Sequence, residues 1–280
     1  MTTRALVLGG GGVAGIGWET GILTGLAAGG VDVTGADLVV GTSAGSTVAA
    51  QVTSGVPLED LFDRQVEPPG RSGELTAPFN LASLEHFWIE AVSTTAGAME
   101  LRKAVGAMAL ATETVPEAAR LEVIAGRLPN HDWPDRPVRI VAVDAHTGEE
   151  RIFDEGGDVS LVDAVAASCA VPGIWPPITI DGRRYMDGGI RSVLNADLAV
   201  GHDLVLIIAP IDDMLPLSDD VAAGLKQLEA ESEIRTVRPD DASTAAFGSD
   251  LLSPASREPS ARAGRIQGQA LAASLGSFWA

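Results

Sequence analysis

The chain has 280 residues, 46% of them apolar and 20% charged, enough to bury a sizeable core in one large α/β domain or two small ones. Lysine and arginine total 19 against 38 aspartates and glutamates, and this formal charge of −19 argues against nucleic acid as a partner, because phosphate binding needs clustered cations. It also disfavours electrostatic docking on anionic lipid, leaving at most a peripheral, hydrophobic membrane contact, and the single cysteine, Cys169, rules out an internal disulfide.

Taken in order, the elements begin with a short buried strand, Ala5 to Leu8, and the glycine run Gly9 to Gly12. Ile16, Ile22, Leu23 and Leu26 then fall at helical spacing, and Gly29–Gly30 ends that helix. Leu38 to Val40 is a second apolar strand that runs directly into GTSAG and a small-residue helix through about Thr53. Strand, turn and helix, repeated, imply a parallel sheet covered by helices. Residues 67–80 read as a loop, and residues 81–128 as two or three helices that either cap a site or simply pack, with Pro116 in a first turn.

Val138 to Val143 resumes the sheet, and Arg151 to Phe153 follows a turn. Ser160 and Asp163 form a capping box for a helix reaching Cys169. Asp181–Gly182 is the tight turn of a hairpin that delivers the chain to Asp187-Gly188-Gly189. Leu204 to Ala209 is another buried strand, and the tail from Ser218 reads as helical and acidic, broken around Pro254 and Pro259. Nothing marks a linker, so the expected organisation is one domain over residues 1–280, with a core at about 5–210 and an acidic helical extension at about 211–280. No stretch approaches the ~20 apolar residues that span a bilayer, and no leader-like run opens the chain, so a cytoplasmic location is expected.

Chemistry concentrates in three places. GTSAG, Gly41 to Gly45, stands between a strand and a helix, which puts Ser43 on a sharp turn with its hydroxyl exposed above a helix N-terminus. The plainer alternative is a turn whose serine only caps the helix. Gly10, Gly12 and Gly15 satisfy G-x-G-x-x-G with Asp32 further on, so the first loop could be a dinucleotide fingerprint, an oxyanion hole or only a turn. In a parallel sheet the loops after neighbouring strands share one edge, so this loop and Ser43 face one crevice. The hydroxyl needs a base. Among His86, His131, His146 and His202, only His202 suits the order Ser…Asp…His with Asp187; Asp187 itself, followed by Gly188 and Gly189, is the stronger candidate.

GGGGxxG, GTSAG and DGG in this order resemble the patatin-like phospholipase family, and VAVDAHTG, ASCAVPGIWPP, RRYMDGG and NADLAVGHDLVLIIAP extend the resemblance over residues from about 5 to 210. It implies a three-layer α/β/α fold with a mainly parallel central sheet. It also implies a lipid acyl hydrolase with a Ser43–Asp187 dyad that uses no histidine, and an oxyanion hole of N–H groups among Gly10, Gly11 and Gly12. Gly15, Gly41, Gly45, Gly188 and Gly189 complete the motifs. One departure stands out: Ala14 occupies a position where the family often has lysine or arginine. The expected substrate is a lipid or small acyl ester, cleaved through an acyl-serine with no cofactor; no histidine–carboxylate cluster of metal-ligand spacing is present in the sequence. A dinucleotide-dependent oxidoreductase and an inactive lipid-binding relative are the rival readings.

Overall fold

A computed structural model describes residues 2–67, 75 and 91–280. His86 and nearly all of the expected loop after Glu67 lie outside the described residues. Eight strands, β1 (Arg4–Leu8), β2 (Leu38–Gly41), β3 (Val138–Asp144), β4 (Glu150–Phe153), β5 (Ile178–Ile180), β6 (Arg183–Asp187), β7 (Leu204–Ile208) and β8 (Glu233–Val237), form one sheet. Among the described residues the helices of that sheet are α1 (Gly12–Ala28), α2 (Ala44–Val52), α3 (Leu58–Val66), α4 (Ala98–Ala111), α5 (Glu117–Arg127), α6 (Leu161–Ser168), α7 (Asp219–Glu231), α8 (Asp241–Phe247) and α9 (Arg257–Trp279).

β3, β2, β1, β7 and β8 run parallel in that order, while β4 and β6 pair antiparallel with β3 and β5 pairs antiparallel with β6. Alternate residues of the central strands feed two layers. Leu6, Leu8, Val39, Leu206 and Ile208 pack in a cluster with α1, α2 and α9, while Ala5, Val7, Val40, Val205 and Ile207 pack with α7 and the short helix at Ala196–Ala199. The result is the expected three-layer α/β/α arrangement. α1 is buried on every side from Val13 to Leu26, because α9 covers the face that the sheet leaves open.

The register around β3 decides where the chemistry meets. Ile140 pairs with Gly41 on one side and Phe153 on the other, and Ala142 pairs with Arg151 and with Asp187. Since β4 pairs with Ile140 to Val143 along one edge, β2 and β6 must share the opposite edge and approach each other end to end. β2 leaves that edge at Gly41, two residues before Ser43, and β6 arrives at it with Asp187. The fold thus brings together two residues far apart in sequence.

Two expectations about the tail change. Glu233–Val237 is a strand, pairing parallel with β7, rather than part of a helical extension. Pro259 does not break α9; it sits in the first turn, where a missing N–H has no helical partner to lose. No helix among the described residues is long and apolar enough to cross a membrane.

Candidate active site

The loops after β1, β2 and β7 all open at the carboxyl edge of the parallel strands, where α/β sheets place their ligands. Ser43 links β2 to α2 with φ 52 and ψ −114, a left-handed conformation uncommon for a residue with a side chain. Such strain costs about 1–3 kcal/mol and persists only where surroundings hold it. Here the Ser43 N–H donates to Ser168 Oγ at 2.9 Å, and its carbonyl accepts from Ser46 Oγ at 2.7 Å and from Cys169 Sγ at 3.1 Å. Burial pushes the Cys169 thiol above its ordinary value, so it stays a donor.

Asp187 ends β6. Its N–H donates to Ala170 O at 3.0 Å, and its Oδ1 accepts from the Gly189 N–H at 2.8 Å. Oδ2 is buried and takes no hydrogen bond of ordinary geometry. Burial raises the Asp187 pKa to about 7, against the opposing pull of the Gly189 N–H, the Ser43 hydroxyl and the Arg120 charge. The Ser43 hydroxyl therefore lies near the carboxylate without a hydrogen bond of ordinary length to Oδ2; catalytic hydrogen bonds are commonly long before substrate binds.

The three glycines of the first loop differ. The Gly10 N–H is committed to Val193 O at 3.0 Å, whereas those of Gly11 and Gly12 meet no acceptor among the described residues. Gly12 has φ +63, and a Cβ there would stand 2.6 Å from Leu251 O, so only glycine fits. The motif glycines around Ser43 and Asp187 serve packing more than access. A Cβ at Gly45 would lie 2.0 Å from Leu8 O, at Gly41 2.7 Å from Gly45 O, and at Gly188 2.2 Å from Val141 O. Asp187 is accordingly buried rather than open, and it borders a cavity. Gly15 sits against Ala44 and Pro210, and Gly189 against its own Asp187 carboxylate.

Gly10, Gly11, Gly12, Ser43, Asp187 and Gly189 all border one cavity of ≈ 700 Å³. Its other walls are mainly apolar, from Val92, Val171, Ile190, Leu215 and Leu252, with the exposed Met214 at the rim. On the other side of Ser43, Arg120 and Arg127 of α5 border a small pocket, and the Arg120 guanidinium lies 4.0 Å from the Trp175 ring centroid. Part of the inserted helical region therefore contributes to the site. No motif marks these arginines in the sequence. Ala14 is buried, its N–H on Leu251 O, and supplies no cation.

Against the geometry, two alternatives fall. His202 precedes β7 and so stands at the amino edge of the sheet, its Nδ1 3.0 Å from Ala199 O, away from Ser43 and Asp187. None of the described histidines borders the cavity. Asp32 lies in the α1–β2 connection, also at the amino edge, with Oδ1 accepting from the Thr34 N–H and hydroxyl. A dinucleotide acid would stand at the carboxyl end of β2, so the fingerprint reading loses its second element. Among the described residues no group of three or more His, Cys, Asp or Glu side chains could hold a metal ion.

The model of the patatin-like phospholipase family matches residues 6–200, more than half of the chain, a span that includes the glycine loop, Ser43 and Asp187. The chain belongs to the patatin-like phospholipase family. Membership implies a lipid acyl hydrolase. Among solved structures, VipD from Legionella pneumophila is similar at 12% identity and a TM-score of 0.45, over 98% of this chain and 67% of that one. The type III effector protein ExoU is similar at 16% identity and a TM-score of 0.41, over 98% of this chain and 53% of its own length.

Proposed function

We propose that this patatin-like chain is a serine esterase acting on the carboxylic ester bonds of lipids, as a phospholipase A or carboxylesterase. Ser43 is its nucleophile and Asp187 its general base. The observation that carries this reading is the single apolar cavity on which Ser43, Asp187, Gly11 and Gly12 all border. In the first step Asp187 Oδ2 takes the hydroxyl proton as Ser43 Oγ attacks the ester carbonyl. The N–H groups of Gly11 and Gly12 receive the oxyanion, a role that preorganised donors fill without reorganisation cost. The alcohol leaves with the proton held by Asp187, and an acyl-serine remains. Water then attacks that acyl group, giving its proton to Asp187, which returns it to Ser43 Oγ as the acyl–serine bond breaks and the fatty acid departs.

A base must be near its working pH to accept and return a proton, and a carboxyl raised to about 7 suits both halves of that cycle. The apolar walls suit an acyl chain. Reaction of the purified chain with a fluorophosphonate, followed by peptide mass spectrometry, tests the nucleophile: label is expected on Ser43, and Ser43→Ala should remain unlabelled. Digestion of a mixed lipid extract, with product masses read in parallel, then names the ester. Label elsewhere, or none with fatty acid still released, would overturn the reading.

A further inference from the structure

The segment from Gly188 to Asn195 touches all three parts of the site. Val193 O holds the Gly10 N–H, and Gly189 N–H holds Asp187 Oδ1. Asn195 does something different. It is fully buried and left-handed, with φ 49 and ψ 35, and its Nδ2 donates to Thr42 Oγ1 at 2.9 Å and Ser192 O at 2.6 Å, with Gly188 O at 3.4 Å. Thr42 immediately precedes Ser43, and Gly188 immediately follows Asp187. One side-chain amide therefore bridges the two strands that meet end to end on β3.

The amide is itself oriented. Arg191 Nη1 donates to Asn195 Oδ1 at 2.6 Å, while the same guanidinium grips Asp197 with contacts of 2.9 and 2.6 Å. A guanidinium only donates, so the carbonyl end of the amide must face it and the NH₂ end must face Thr42. We propose that Asn195 is a positioning residue that sets the approach of Ser43 to Asp187, by tying the residue before the nucleophile to the residue after the base. A misplacement of about 1 Å can cost about 10²-fold in rate. This rests on the dyad described above.

Asn195→Asp keeps size and tolerance of the left-handed backbone, and keeps an acceptor for Arg191. It removes the donor, however, and sets a carboxylate oxygen against Ser192 O. Thr42→Val removes the acceptor, while Thr42→Ser keeps it. In folded Asn195→Asp we expect kcat to fall about 10²-fold with KM within threefold. Thr42→Val should lose comparably, Thr42→Ser should approach the parent, and Asn195→Asp with Thr42→Val should be no worse than the weaker single variant. Because the Ser43 hydroxyl lowers the Asp187 pKa, the acid limb of kcat should also move upward in both damaged variants. If Asn195→Asp does not fold, the Thr42 pair decides alone. Additive losses, a change in KM only, or Thr42→Val equal to the parent would overturn the inference. Should the parent carry no fluorophosphonate on Ser43, or Asp187→Asn stay active, the dyad itself has failed. A parent labelled on Ser43 beside an unimpaired Thr42→Val isolates the failure to Asn195.

Discussion

Asp187 and Glu19 are both buried carboxylates, and they sit under opposite conditions. Glu19 lies midway along α1, fully buried, and neither of its oxygens takes a hydrogen bond of ordinary geometry. Burial holds its pKa well above the usual carboxylate range, and the Gly9 backbone only partly opposes this. Asp187 has one oxygen on the Gly189 N–H and borders a cavity, with a nearby hydroxyl and a cation favouring its charge, and its pKa stops at about 7. Both shifts come first from desolvation, so a perturbed pKa identifies a buried acid and not a working one. Access distinguishes them: the carboxylate bordering space for a substrate can exchange its proton with something.

The largest expected effect breaks this comparison if it fails. Asp187→Asn is close in shape but cannot accept a proton, so p-nitrophenyl ester turnover should fall by about 10⁴-fold. Glu19→Gln, equally conservative, should stay within about twofold of the parent. His202→Ala, at the far edge of the sheet, should do likewise; a folded His202→Ala variant down by about 10³ would restore a histidine triad. Circular dichroism on each variant separates chemistry from unfolding.

A smaller effect follows from the sign of the Asp187 shift. The base must be ionised, so kcat/KM should climb with pH and level off above a midpoint of about 7. Between pH 7 and pH 5 that limb corresponds to a loss of about 50-fold. In Glu19→Gln the same midpoint should remain. A profile flat from pH 5 to 8 would mean that some other group takes the proton.

The difference between these acids also shows what the sequence can carry. Ser43 was legible because strand, GTSAG and helix are contiguous, so local order alone places the elbow. Asp187 was legible as a motif, yet its arrival beside Ser43 depends on β2 and β6 sharing one edge of β3, a register that local pattern does not encode. The glycines of GTSAG and DGG are legible as motif residues, but not their packing: Gly45 and Gly188 are pressed against the backbone of β1 and β3. A glycine's meaning depends on what faces it. β8 was missed because Glu233 to Val237 alternates in polarity between charged helical segments, and only the free edge of β7 makes it a strand. Asn195 and Arg120 act through contacts with residues distant in sequence, so no window around either one points to the site.

The smallest expected effect concerns stability alone and belongs to Glu19. Its folded pKa is raised, so the folded state holds the proton more tightly than the unfolded chain does. The stability associated with that proton is fully present below the unfolded value of about 4.3, and is lost progressively as pH rises through the folded value. Glutamine has no proton to lose, so Glu19→Gln should differ little from the parent near pH 4 and gain on it above. The gain should be larger at pH 7 than at pH 5.5, because burial holds the Glu19 pKa up in the folded state. Urea unfolding at pH 4, 5.5 and 7, with the slope m compared at each, would measure it. A constant difference across the three would mean that packing and not titration separates the variants, and an amide less stable at pH 7 would mean that Glu19 is ionised and held by a partner. Either result would remove the contrast with Asp187, because the charged acid in the middle of α1 would then be a satisfied one.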